Sequence, residues 1–235
     1  AMPLSEWEGS IPDGVIIYPE LSDIQLDGES IAGFDKDKKD YTCRLTAEEE
    51  LPEVTAYGEN VDINIQYSGD YIVSANITVT NKDDKSMSAI YQIMFYREAK
   101  QIVLDQNNKL AIKAVTVSAE PQPENNAANA IDGKLGTRWS AENEQWLQVE
   151  LQEISDISYI NICTYLGNER SQLLDIEISE DGENYTTVFT GATSGTTDGM
   201  EAIPIETVRG KYVRLLCHGT DKGTWNSICE IEVYR

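Results

Sequence analysis

The residue types able to do chemistry are thinly spread in this sequence. His218 is the single histidine, and no GxSxG, HExxH, Walker or GxGxxG pattern accompanies it. A poised acid, base or nucleophile therefore has no marked partner. The 41 Asp and Glu residues could include the two carboxylates of a glycosidase, yet spacing alone selects no pair. Cys43, Cys163, Cys217 and Cys229 have no CxxC spacing, which argues against a zinc ribbon or a thioredoxin-like redox pair. Cys217 and Cys229 flank a short connection between two expected strands and are the one pair worth testing as a disulfide. The chain is accordingly expected not to be an enzyme.

Sugar binding asks less of a sequence. It needs an aromatic face to lie against the apolar side of a pyranose and a few polar groups for its hydroxyls, all carried on loops of a rigid scaffold. Three segments offer this: 140–144, 165–170 and 218–226. Within them Arg170 could give two bonds to vicinal hydroxyls or pair with a uronic carboxylate, Glu142 could accept from hydroxyls, and Tyr165 or Trp225 could supply the platform. His218 and Asn226 complete the candidate set. Blander roles compete: Trp139 and Trp146 read as core, Arg138 as a surface ion pair, His218 as a partner for a loop carbonyl, and Trp225 as either buried or ligand-facing.

The elements that must position these loops are strands. Runs such as 61–65, 74–80, 147–151, 175–178 and 230–233 alternate apolar and polar residues, which puts one side of each in a core and the other in water. Asp27-Gly28, Tyr57-Gly58, Asp132-Gly133 and Asp181-Gly182 break them at short intervals, as in β-sandwiches. Helical pattern is confined to 127–131 and 48–51. A polar stretch, 104–109, separates two parts with about seven and eight expected strands, each large enough for its own core. Domains are placed at 11–104 and 112–235.

The net charge is −23 over 235 residues. Residues 1–112 hold 21 acidic side chains and 113–235 hold 20, with nine basic ones in each part, so no basic half is hidden. Phosphate backbones and anionic lipid are disfavoured as partners, because that affinity comes from Lys and Arg. The apolar run 15–18 is far too short to span a bilayer. Residues 1–3 carry no signal-peptide features, and any export signal is expected to lie outside this chain.

From Ala114 to Tyr234 the sequence resembles the coagulation factor V/VIII type C, or discoidin-like, domain and its bacterial family 32 carbohydrate-binding modules. The residues that carry the likeness are 129–133 (NAIDG), 137–140 (TRWS), 145–151 (QWLQVEL), 178–185 (ISEDGENY), 211–215 (KYVRL) and 225–233 (WNSICEIEV). The resemblance implies an eight-stranded jelly roll with a structural Ca²⁺ tying an early loop to the last strand. Carried over position by position, Asp132 and Glu230 would give carboxylate oxygens, Thr137 a hydroxyl, and Asn129, Lys134 and Cys229 backbone carbonyls, a donor set suited to a hard cation. No EF-hand is present, since the acidic run 35–40 lacks the glycine such a loop needs. Less specifically, 31–42 and the strand pair 77–80 and 91–95 resemble cadherin-like or Ig-like sandwich domains, which usually act as spacers; Phe34 and Tyr41 read as core there.

The resulting expectation is an all-β chain of two sandwiches, a monomer, working as a non-catalytic glycan-binding accessory region of a larger secreted or surface-attached bacterial polysaccharide-degrading enzyme. The overall negative charge points to neutral, galactose-type sugars. An adhesion module for a protein surface and a purely structural region remain open alternatives.

Overall fold

The structure is a computed structural model and describes residues 18–120 and 122–235. Residues 11–17, the start of the expected first domain, and most of the apolar run 15–18 lie outside the described residues. By internal contacts the chain divides into two compact units. One takes in the described residues up to Tyr41, with Pro52–Tyr67 and Ala75–Ile93; the other takes in Thr42–Leu51, Ser68–Ser74 and Met94–Arg235.

Among the described residues the N-terminal part has seven strands, in line with the alternating runs. β1 (Asp23–Leu26), β2 (Glu29–Ser30) and β4 (Val54–Tyr57) form one sheet in the order β2-β1-β4, while β3 (Asp40–Leu45), β5 (Val61–Ser68), β6 (Val73–Asn81) and β7 (Ser88–Arg97) form another in the order β3-β7-β6-β5. Ile24, Val54, Val61, Ile77, Val79, Tyr91 and Ile93 are buried at alternate strand positions. Tyr41 is buried too, and half-buried Phe34 stacks on it at 6.3 Å. The expected turn at 48–51 contains no helix.

The C-terminal part holds β8 (Ile112–Val117), β9 (Trp139–Glu142), β10 (Gln145–Thr164), β11 (Gln172–Ser179), β12 (Thr186–Ala192), β13 (Glu201–Thr220) and β14 (Trp225–Tyr234). They are hydrogen-bonded in the order β12-β11-β13-β10-β14-β9, with β8 on β10. The eight expected strands appear as seven because β10 and β13 each run 20 residues. The first half of β10 lies between β13 and β8; its second half lies between β13 and β14. Register shifts at Glu150/Ser155 and Ile157/Tyr159 bend the strand between these two roles. Leu147, Val149, Leu151, Ile160, Ile162, Leu174, Ile176, Val213, Leu215, Ile228, Ile231 and Val233 form one core around fully buried Trp139, each contributing roughly 1.5–3 kcal/mol by leaving water. The Trp139 indole donates to the Ala119 carbonyl at 2.9 Å.

Two readings need correction. Trp146 is not core: it alternates with buried Leu147, so it stays half-exposed, and the Arg214 guanidinium lies over its ring at 5.1 Å. Cys217 and Cys229 are not bridged, and all four cysteines are free. The physical reason is strand order, because β10 lies between the two strands that carry them. Cys217 faces the core, where burial pushes its thiol up to about 12. Cys229 sits at a bulge opposite Cys163 and Thr164. The N-terminal junction also starts before residue 112: a 3₁₀ turn, Gln106–Asn108, is capped by Asp105, Leu110 N–H donates to the Val233 carbonyl, and Gln106 donates to the Tyr234 hydroxyl. Titration of the denatured, unreduced protein with a thiol reagent should count four thiols per chain; a Cys217–Cys229 bridge found by non-reducing peptide mapping would contradict the strand order that separates them.

Candidate functional site

The β9 edge and the loops beside it gather most of the candidate residues. On β9, Trp139 and Ala141 point into the core, so Arg138, Ser140 and Glu142 share the outward side. β14 pairs with β9 in the register Trp225↔Glu142 and Ser227↔Ser140, which puts Trp225 and Ser227 on that same side. Ser140 and Ser227 hydroxyls meet at 2.9 Å. Trp225 is 36% exposed, which settles its reading in favour of a solvent-facing ring, and Thr224 donates to the Glu142 carboxylate beside it at 2.9 Å.

The β10–β11 loop supplies the other half of the cluster. Tyr165 N–H donates to the Ser227 carbonyl at 3.1 Å, and Arg170 N–H closes the turn on the Leu166 carbonyl at 3.1 Å. Leu166 takes a positive φ of 55°, a conformation that costs a non-glycine residue about 1 kcal/mol or more. Gly167 is required at the next position, since a Cβ there would lie 2.4 Å from the Thr197 carbonyl oxygen. This tight turn brings Arg170 back over Tyr165: its Nε donates to the Tyr165 carbonyl at 3.2 Å and its guanidinium lies 5.6 Å from the ring centre. Arg138 stacks closer on the same ring, at 4.0 Å, with its Nε donating to Ser140 at 3.1 Å.

Asn226 takes a different role from the one its loop position suggested. It is fully buried, accepts from Gln172 Nε2 at 2.8 Å and Gly219 N–H at 2.7 Å, and donates to the Ala141 and Asn143 carbonyls at 3.2 and 2.6 Å. With its hydrogen-bonding groups engaged it has nothing left for a ligand; it ties the ends of β9, β11 and β13 together. His218 also leaves the ligand set. It alternates with core-facing Leu215 and Cys217 on β13, and its ring nitrogens face Asp175 at 2.9 Å and Glu144 at 3.3 Å. Among the described residues it makes no hydrogen bond or ring contact with Arg138, Tyr165, Arg170 or Trp225. Arg138, read from sequence as a surface ion pair, is the residue missed. Its position immediately before core-facing Trp139 was the available signal, because alternation turns it outward.

The expected cation residues also converge. The 3₁₀ segment Ala127–Ile131, capped by the Asn126 side chain, ends at Asp132, and Gly133 turns the chain with a φ of 76°. The Thr137 hydroxyl lies 2.9 and 3.0 Å from the two Asp132 carboxylate oxygens and 3.1 Å from the Lys134 carbonyl. Glu230 reaches in from β14, where Gly133 N–H donates to its Oε2 at 2.9 Å. Burial, joined by the nearby Asp132 and Glu232 charges, raises the Glu230 carboxyl above its ordinary range. Asn129 holds the loop through side-chain donation to the Glu124 and Arg138 carbonyls at 2.8 and 2.9 Å. Among the described residues no three His, Cys, Asp or Glu side chains form a metal cluster; this set holds only two carboxylates, the remainder being a hydroxyl and carbonyls.

Polar and aromatic groups are thus gathered along one strand edge of an all-β module. The F5/8 type C domain model matches residues 113–231, and the chain belongs to that family. Among solved structures, a pectin-binding carbohydrate-binding module is 34% identical, with a TM-score of 0.51 over 53% of this chain and 91% of that one. The family 32 module of AlyQ, solved with 4,5-unsaturated mannuronic acid, is 30% identical, with a TM-score of 0.52 over 54% of this chain and 98% of the module. A truncated AlyQ with that module and an alginate lyase domain is 31% identical at a TM-score of 0.52, and the chain spans only 33% of its length. The likeness is thus to the module, which is non-catalytic. Comparison with curated proteins gives no match. Among the described residues no helix is long and apolar enough to cross a membrane.

Replacing Asn226 with Ala removes the acceptor of the Gly219 N–H, one of the acceptors of Gln172 Nε2 and a donor to the Ala141 and Asn143 carbonyls, and should cost about 2–4 kcal/mol, measured by chemical denaturation. A cost below about 0.5 kcal/mol would show that the loops do not depend on this amide.

Proposed function

We propose that this chain is a monomeric, non-catalytic glycan-binding accessory region of a larger bacterial enzyme that acts on polysaccharides outside the cell, with the C-terminal module as the binding part and the N-terminal strands as an Ig-like spacer. The observation that carries the reading is the edge cluster itself: the exposed indole of Trp225 beside Glu142, and Tyr165 with two guanidiniums against its ring, on an edge held by buried hydrogen bonds. Aromatic faces with adjacent fixed hydrogen-bonding groups suit pyranose rings. Relatives that bind pectin and a mannuronic acid derivative support the carbohydrate class. Such a module keeps an attached enzyme near its polymer by effective concentration, so weak single-site affinity is sufficient. Neutral, galactose-type sugars are the reading that overall charge favours, although two guanidiniums at the cluster set its local charge. A broad glycan array tests the function: binding to at least one glycan class is expected, weakened at least tenfold by Trp225→Ala, and no binding to any glycan would overturn it.

Asp132, Thr137 and Glu230, with the carbonyls of Asn129, Lys134 and Cys229, fit a structural Ca²⁺. All offer oxygen, the preference of a hard cation, and a buried glutamate beside an aspartate is a like-charge pair that a divalent cation would neutralise. The ion would hold the 129–137 loop against β14 and take no part in chemistry. Chelation of the purified protein should lower its thermal midpoint, with recovery on adding Ca²⁺. An unchanged midpoint in protein verified to be metal-free would refute the site.

A further inference from the structure

Arg138 and Arg170 form no ion pair among the described residues, although the chain has 41 acidic side chains for 18 basic ones. Each uses only Nε within the side chain's own surroundings, Arg138 toward Ser140 and Arg170 toward the Tyr165 carbonyl, and the Nη groups of both have no hydrogen-bond acceptor among those residues. By contrast Arg209 and Arg214, elsewhere on the same module, pair with Glu180 and Glu177. Two guanidiniums without an ion-pair partner among the described residues thus lie against one tyrosine ring. The Tyr165 ring spaces and orients them, which leaves two planar forks held ready for an acceptor.

We infer that the glycan bound at this cluster is acidic, a uronic acid whose carboxylate is taken by Arg138 and Arg170 while an adjoining ring lies toward Trp225. The inference rests on the glycan-binding reading above and names its substrate class. It reverses the preference for neutral sugars that the net charge of −23 suggested. Charges farther than ~10 Å are largely screened at 0.1 M salt, so an incoming sugar responds to the two nearest guanidiniums more than to carboxylates across the module. Glu142 bonds the Thr224 hydroxyl and forms an ion pair with neither arginine. A carboxylate is preferred to a sulfate ester because both cations are planar guanidinium forks, which match it edge to edge. The nearby lysines are occupied, Lys222 by the Glu169 carbonyl and Lys134 by Asp132.

Calorimetric titration with oligogalacturonate, oligomannuronate and oligoguluronate, each beside its carboxyl-reduced neutral counterpart, and with a sulfated galactan oligosaccharide, tests this. At least one uronide should bind about tenfold or more tightly than its neutral counterpart, weakening as salt rises from 0.05 to 0.5 M. Arg138→Gln and Arg170→Gln should each remove most of that difference while leaving the thermal midpoint within a few degrees. Binding of the neutral forms as tight as the acids, of the sulfated sugar alone, or of the uronides undiminished in both variants would overturn the inference while leaving the glycan-binding reading intact. Silence toward all these probes and toward a broad glycan array as well would overturn both.

Discussion

One buried amide holds the binding edge of this protein together. Asn226 has no exposed surface, yet its side chain joins the end of β9, the start of β11 and the end of β13 through four hydrogen bonds. A buried donor such as the Gly219 N–H, left without its partner, would cost about 1–3 kcal/mol. Glu142 ends β9, Trp225 begins β14, and Tyr165 and Arg170 sit in the β10–β11 loop. Beneath them lie Asn226 and its partner Gln172, which also donates to the Gly219 carbonyl at 2.7 Å.

The scaffold beneath that amide follows from two long strands. β10 and β13 pair along most of their 20 residues, and their bulges let each one serve on both sides of the same core. Because β10 is flanked by β8 in its first half and β14 in its second, the β10–β11 loop emerges beside the β9–β14 edge. That is why Tyr165 meets Arg138, 27 positions earlier, and Ser227, far later in the chain. The same arrangement separates the candidate residues: His218 faces outward from β13 among carboxylates, whereas the arginine cluster belongs to the β9 edge.

Charge has a different meaning at two length scales here. Over the whole chain the acidic excess opposes contact with polyanions and is spread evenly along the sequence. At the edge cluster, by contrast, two arginines have no ion-pair partner among the described residues. Nearby, the Asp132–Glu230 pair presents the complementary case, two carboxylates drawn together with one of them buried. Both are local imbalances that the sequence-wide total conceals.

Alternation and turn residues determined that this chain is all-β and that Leu147, Val149 and Leu151 are core, through period-two burial; the reading of Trp139 as core and the grouping of Asp132, Thr137 and Glu230 came from the ordered landmarks of the family resemblance. The uneven exposure of Trp225 and the outward turn of Arg138 were nearly legible, because each adjoins a core position. What only the tertiary structure decided was which neighbours share a strand edge. Sequence cannot reveal that β10 separates Cys217 from Cys229, that Asn226 spends its amide inside the fold, or that Arg138 and Arg170 share a ring without a counterion. Those outcomes come from long-range strand order and bulges, which set the partners of each side chain across more than a hundred residues of chain.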